Sequence, residues 1–363
     1  MCSFFAQKVF FRHSLINYHS TTALFNSLRS QKAILKIIMN TFKVKNFREA
    51  MLQSLKILSN EGVEIIPRGM KTKEIENVLF ELSNPQDKVA LIEGRKANIF
   101  ATLAETLWVL GGRNDLDFIS HYVPRMEDFS DPNRVLYGGY GPRIQKWHSV
   151  NQLEQIYLIL KKDNSSRRAV ISLFDPSRDF FSDDFPCTNW LHFTIRSNKL
   201  NLKVVSRSMD IIWGATLNFF EWSVIQEIVA NWLDVKVGEL TYFVSSLHIY
   251  EEFYERMDNI LANPLNTREF ECLEWNIPYE IFESEIIMFF NEESKLRLLK
   301  YPDFSLIKTT PIKVSLILLL SYNYYKLNRY KESIDVLKDC PNCDLKIMAL
   351  DYYNRNLNYN NLI

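Results

Sequence analysis

The period of the apolar positions changes several times along the chain, and each change marks an element. Between Phe47 and Leu58, Ala50, Leu52, Leu55 and Leu58 recur at helical spacing, and Asn60-Glu61-Gly62 ends the helix. "IIPRGMKTKEIENVLFEL" reads as a loop followed by a strand-like stretch, with Lys-Thr-Lys-Glu at 71–74 taken as an exposed helix start. Asn84-Pro85 breaks the pattern. "IFATLAETLWVLGG" predicts a strongly apolar helix with one carboxylate, Glu105, set inside it and Gly111-Gly112 capping its end. Residues 113–150 read as loop-rich, residues 151–162 as a helix, and "AVISLF" as a short buried strand. "LHFTIRS" and "LNLKVVSRS" alternate apolar and polar positions, which predicts two strands with one buried face, joined by a turn at Ser197-Asn198-Lys199. Asn218–Leu233 predicts a mostly apolar helix, and "LTYFVSSLHIY" another strand. Together these make a mixed α+β domain within residues 39–262.

Residues 263–363 change character. "IKVSLILLLSYNYYKLNRYKESIDVLKDC" predicts two helices joined at Lys326–Arg329. Their aromatic and small residues are similar to one tetratricopeptide-type hairpin, but a single hairpin does not stack into a solenoid. A helical extension packed on the core is the simpler expectation. The first 38 residues hold basic residues and serines but no Asp or Glu. That composition fits either a transit-like leader, which would make the setting organellar, or a segment upstream of a true start at Met39. Either way it is set aside from the fold.

Composition narrows the function. Apolar residues make up 47% of the 363 residues, enough for a sizeable core, and 43 basic residues balance 43 acidic ones. That balance gives no general attraction to nucleic acid or to an anionic membrane. Any anion binding has to come from a few placed arginines. No apolar run reaches the ~18–20 residues of a membrane span. Five cysteines, an odd number in a long chain, do not read as a disulfide framework and fit a reducing cytoplasm. Cys340-Pro-Asn-Cys343 lacks the second pair of ligands that a metal site needs.

The stretch "DDFPCTNWLHFTIRSNKLNLKVVSRSMDIIWGATLNF" carries the chemistry. A thiol attacks as the thiolate, which near neutrality needs positive charge or N–H donors close by. Arg207 lies on the second of the strands that follow Cys187, so it can fold back toward the cysteine, and Ser166-Arg167-Arg168 adds further cations. Arginine forks also match phosphate oxygens. An Asn at a helix start can read a ring amide such as N3–H and O4 of uracil. These residues point to covalent attack on the ring of a phosphorylated substrate. Each also has a structural reading: an inert buried cysteine, a paired structural carboxylate at Glu105, a solvated arginine pair, a satisfied core histidine at His248.

In their order and spacing, "ETLWVLGG", "YGPR", "SSRRAVISLF", "PC", "SRSMDIIWGATLN" and "HIY" resemble thymidylate synthase and its relatives, the pyrimidine-nucleotide hydroxymethylases. The resemblance spans residues 47–256 and implies an α+β fold with a large mixed sheet and flanking helices. It implies that Cys187 adds to C6 of a pyrimidine nucleoside monophosphate and that C5 then takes a one-carbon unit from 5,10-methylenetetrahydrofolate, with no metal. Glu105 would organise water and relay protons, and Tyr140 would assist removal of the C5 proton. Asn218 would read the pyrimidine edge, and His248 and Tyr250 would hold the sugar hydroxyl. Arg207, Ser208 and Arg68 would bind phosphate, joined by Arg167 and Arg168 from the second subunit of a homodimer. Asp210, Gly214 and Trp108 would line the folate side.

The departures from that family bear on the product. Thr188 follows the nucleophile where the family commonly has His. "RMEDFSD" carries no tryptophan where the synthases place one against the folate. The helical extension stands where the synthases have a short closing tail. Methylation needs hydride transfer with water excluded, whereas hydroxymethylation needs water, so a softer wall favours the hydroxymethyl product. A methylating synthase and a non-catalytic nucleotide-binding protein on the same fold are the competing expectations.

Overall fold

The computed structural model describes residues 39–263 and 271–357; the leader-like residues 1–38 and the start of the extension at 264–270 lie outside them. The strands are β1 (Asn40–Val44), β2 (Val63–Ile65), β3 (Thr72–Leu82), β4 (Ala169–Ser172), β5 (Thr188–Arg196), β6 (Lys199–Ser206), β7 (Met209–Asp210) and β8 (Lys236–Tyr250). They form one mixed sheet in the order β1-β3-β8-β6-β5-β4, with β2 beside β3 and β7 beside β8. The β1–β3, β6–β8 and β7–β8 pairs are parallel and the others antiparallel. The expected α+β class is the one observed.

Around the sheet lie α1 (Phe47–Glu61), α2 (Ile99–Leu110), α3 (Leu116–Tyr122), α4 (Tyr140–Gln145), α5 (Gln152–Lys162), α6 (Gly214–Trp232) and α7 (Tyr254–Ala262). Asn46, Asn98 and Asn151 cap α1, α2 and α5 by accepting backbone N–H bonds from the first turn. The expected helix start at 71–74 is instead part of β3: Thr72, Lys73 and Glu74 pair with Tyr250, Ile249 and His248 of β8. Lys73 and Glu74 lie half-buried there, so a short charged run mimicked a helix start where cross-strand pairing decides the structure. Just after Met39 the chain begins with β1, which pairs with β3, before it enters α1.

Residues 271–357 add α8 (Tyr279–Arg297), α9 (Thr310–Lys326), α10 (Tyr330–Asp335) and α11 (Asp344–Leu357). It explains why α2 is apolar nearly all round, since such a helix needs cover on both sides. Phe100 of α2 stacks on Tyr322 of α9 at 4.7 Å between ring centres. A side chain at Gly111 would run into Phe290 of α8, so the glycine permits a close approach there. Polar ties reinforce the contact. Tyr122 donates to Glu293 at 2.7 Å, and buried Lys88 reaches Glu227 of α6 at 2.7 Å. Glu227 in turn accepts the backbone N–H of Trp275 at 3.0 Å. Among the described residues no helix is long and apolar enough to cross a membrane.

Candidate active site

The β5–β6 hairpin builds the centre of the site. Ser197 and Asn198 adopt the left-handed conformation (φ of 51° and 57°) that a tight hairpin turn needs. The turn's register runs from Arg196–Lys199 to Trp190–Val205, and a one-residue shift between Thr188 and Trp190 then pairs Thr188 with Ser206. The next residue outward on each strand, Cys187 and Arg207, is therefore brought together across 20 residues of sequence. The Arg207 N–H donates to the Cys187 carbonyl at 2.9 Å. The Arg207 side chain lies over the Phe185 ring at 4.3 Å and donates to the carbonyls of Phe185 (3.1 Å) and Pro186 (3.2 Å). Held this way, its Nη2 stands 3.5 Å from the Cys187 Sγ.

Cys187 is half-buried, and burial pushes its thiol up while Arg207 and, more weakly, Arg68 pull it down. Asp184, which accepts the Gly138 N–H at 2.9 Å, adds to the upward push. Burial wins, so the sulfur of the free protein is a thiol beside a fixed cation.

Two phenols back the cysteine. Tyr140 accepts the Thr188 N–H at 3.1 Å, and its ring lies 5.1 Å from Trp222. The Thr188 and Ser206 hydroxyls bond at 2.9 Å, and Ser206 bonds the Tyr242 hydroxyl at 2.9 Å. Burial keeps both phenols protonated, that of Tyr242 up to about 12. Glu105 is 8% exposed on α2, and its Oε2 has no hydrogen-bond partner among the described residues. Burial pushes its carboxyl up to about 8. Asn218 is buried in the second turn of α6.

A third group lines up where β7 joins the sheet, because Asp210 pairs with His248. Asp210 accepts the N–H groups of Ile212 (3.1 Å) and Trp213 (2.6 Å). Burial raises its carboxyl and lowers His248, and each charge works against the other's shift. Tyr250 lies edge-on to His248 at 5.2 Å. Trp213 is 46% exposed with the Arg125 guanidinium 5.0 Å from its ring, and Gly214 beside it opens onto free space. Ser208 follows Arg207 in the link to β7. Arg68 sits exposed on a turn at φ 52°, a conformation that costs a non-glycine residue about 1 kcal/mol or more, and its charge reaches both Cys187 and Tyr250.

Two of the expected residues stand apart, and a third is closed off from solvent. Trp108 is 3% exposed in the core, with its indole N–H donated to the Asp115 carbonyl at 3.0 Å. Arg167 and Arg168 are exposed, and Arg167 lines a separate groove of about 580 Å³ with Asn164, Ser165 and the Ile195–Asn198 turn. Sequence reading missed Asp184, Tyr242, Trp213 and Arg125. It also missed Glu221, fully buried on α6 one turn after Asn218, whose two carboxyl oxygens have no partner among the described residues. Its signal was present, since it is a carboxylate inside an apolar run, as Glu105 is.

The fold and site define a class: an α+β protein presenting a cysteine beside a clamped arginine, with an Asp–His pair nearby and a buried unpaired glutamate on α2. A family model described as thymidylate synthase matches residues 46–307, and the chain belongs to the thymidylate synthase family. It is 34% identical over 230 residues to a deoxyuridylate hydroxymethyltransferase of Bacillus phage SP01, and the match spans 60% of this chain and 60% of that relative's length. It is 33% identical over 239 residues to a protein of the same name from Pseudomonas phage M6, covering 64% of this chain and 68% of that one. A thymidylate synthase of Fusobacterium nucleatum is 26% identical over 196 residues, covering 53% of this chain and 70% of its own.

Proposed function

We propose that the protein transfers a one-carbon unit to C5 of a pyrimidine nucleoside monophosphate and that the product is the 5-hydroxymethyl nucleotide. The observation that carries this reading is the approach of Arg207 to the Cys187 sulfur within a hairpin that fixes both. Cys187 loses its proton and its sulfur adds to C6 of the ring, which makes C5 nucleophilic. The one-carbon unit is supplied by 5,10-methylenetetrahydrofolate. The exposed Trp213 ring, the Asp210 carboxyl and the open space at Gly214 suit a flat pterin with N–H donors. Once C5 carries the carbon, its proton leaves, with Tyr140 placed to assist, and the carbon–nitrogen bond to the folate breaks, which releases tetrahydrofolate and leaves an exocyclic methylene on the ring. Water adds to that methylene to give the hydroxymethyl group, and the C6–S bond then breaks to return the thiolate.

The other residues take supporting roles in this reading. Glu105, protonated near neutrality by its burial, relays protons at the O4 side. Asn218 accepts from N3–H and donates to O4, which favours uracil over cytosine. His248 and Tyr250 hold the sugar, and Arg207, Ser208 and Arg68 hold phosphate. Arg167 and Arg168 lie outside the Cys187 cluster, as residues donated to a second copy's site would. The names of the phage relatives favour deoxyuridylate and the hydroxymethyl product. Trp213 favours the second reading, a methylating synthase, because an exposed ring on the folate side can exclude water.

The test is incubation with dUMP, UMP, dCMP or CMP and 5,10-methylenetetrahydrofolate, with the product weighed and dihydrofolate followed by absorbance. A hydroxymethyl mass gain without dihydrofolate supports the proposal. A methyl gain with stoichiometric dihydrofolate establishes the second reading, and no product with any nucleotide overturns both.

A further inference from the structure

The buried carboxyl that the proposed chemistry leaves unused is Glu221. It lies on α6, three residues after Asn218, so the two share a helix face one turn apart. α6 packs on α2, which carries Glu105. Glu221 is fully buried, and its two oxygens, like the Oε2 of Glu105, have no hydrogen-bond partner among the described residues. Two carboxylates enclosed together in an apolar interior do not both ionise, because neither charge is paired or hydrated.

We propose that Glu221 is a positioning residue for Glu105: it remains a neutral carboxyl across the α2–α6 interface and directs its O–H toward the Glu105 carboxylate. The pair then carries at most one negative charge, and that charge resides on Glu105. Glu221 acts only through Glu105, so the role rests on the proposed function.

The electrostatics agree. Burial holds the Glu221 proton well beyond the ordinary carboxylate range, and the charge of Glu105 holds it further. Glu105 is raised by burial alone. That asymmetry is what ordered titration requires: Glu105 ionises first, and a neutral Glu221 places no charge on it. Other buried or half-buried titratable groups on the elements packed against α6 are Tyr242, His248 and Tyr250 on β8 and Asp210 on β7. Tyr140 of α4 lies against Trp222, and Lys88 is committed to Glu227 further along the helix. The cations nearest the sulfur, Arg207 and Arg68, act on Cys187 and do not figure among the influences on Glu221.

Two measurements test the pair. Infrared spectra taken below and above the value of about 8 for Glu105 report the carbonyl stretch of a protonated buried carboxyl, whether or not the protein turns over. The expected band persists through the titration, disappears in Glu221→Gln and shifts as Glu105 ionises, and the shift is absent in Glu105→Gln. A spectrum unchanged by Glu221→Gln, or a band that ignores Glu105, overturns the proposal. The second measurement is the pH dependence of proton release from C5 of dUMP with the folate present. Glu221→Leu removes the donor and moves the Glu105 limb up by about one pH unit, while Glu221→Gln, which keeps a donor, returns it to the wild-type position. A limb that moves down in Glu221→Leu, or does not move, overturns the proposal. Absence of turnover in the wild-type protein counts against the proposed function, and the infrared result then decides this inference alone.

Discussion

Helix α6 holds two buried glutamates in opposite circumstances. Glu227 is paired: Lys88 donates to it at 2.7 Å, the Trp275 N–H donates to its other oxygen at 3.0 Å, and Lys88 also reaches the Leu273 carbonyl at 3.4 Å. Asp344 of α11 completes the cluster by accepting the Leu273 N–H at 2.9 Å. Glu221, nearly two turns earlier, has no such company. The paired end of α6 fastens the segment at Leu273–Trp275 and the start of α11 to the sheet and its helices. The unpaired end, with Asn218 and Glu105, holds carboxyls in a state that water would not allow. Buried charge therefore serves architecture where it is matched, and at the candidate site it is left unmatched, which perturbs its protonation.

The largest expected effect separates the two ends by what is lost. Cys187→Ser should lower turnover by at least about a thousandfold, since the covalent step loses its nucleophile. The midpoint of urea unfolding should stay close to wild type, because the Cys187 side chain is only half-buried and is tied to the fold chiefly through its backbone. Substantial remaining formation of a covalent adduct with 5-fluoro-dUMP and the folate would remove Cys187 from the role.

Lys88→Met should do the reverse. It leaves Glu227 buried without its cation, which costs about 3–5 kcal/mol by denaturant unfolding. Replacing both partners, Lys88→Met with Glu227→Met, should cost less than Lys88→Met alone, because the stranded charge is gone. If the double variant is the less stable of the two, the cluster is more than a matched pair, and the Trp275 N–H bond is the part that matters.

These two ends were unequally legible in the sequence. The irregularity between Thr188 and Trp190, which sets Arg207 beside Cys187, left no signal, but the β5–β6 hairpin, α2 and α6 followed from period alone. The start of β3 did not, because Lys73 and Glu74 carry helix-like charge while their conformation is set by β8, far along the chain. Cross-strand partners of that kind leave no local trace. Glu105 stood out as a carboxylate among apolar residues, whereas Glu221 passed unnoticed because α6 also contains Gln226 and Glu227, which make it look less apolar. The Lys88 cluster joins residues 88, 227, 273 and 344, and no spacing rule connects such positions.

The unpaired end should also show in the pH dependence of stability. Glu105 is raised from the ordinary 4.5 to about 8 in the folded protein. Between these values the folded chain keeps a proton that the unfolded chain releases. Its contribution is thus fully present below 4.5, falls as pH rises, and is gone above about 8. The loss is a few kcal/mol at most, at about 1.4 kcal/mol for each unit of separation. In a pH series of urea unfolding, Glu105→Gln should flatten this decline, leaving the part due to Glu221. A decline of unchanged slope in Glu105→Gln would mean that the carboxyl is hydrated or paired in solution.

The smallest effect is the one most specific to the comparison. Glu221→Met removes a carboxyl that is buried without a cation or a backbone donor, its one proposed contact being Glu105, and puts an apolar side chain of similar length in its place. The lost group was costing the fold its desolvation, so the variant should be more stable than wild type by about 1–3 kcal/mol. The gain should grow with pH, because the unfolded chain ionises Glu221 while the folded chain must keep it neutral. Glu227→Met, the same chemical change further along the same helix, should be destabilising at every pH, since it strands Lys88. Opposite signs for one substitution at two positions of α6 would establish the contrast, and equal signs would show that Glu221 has found a cation or a backbone donor in solution.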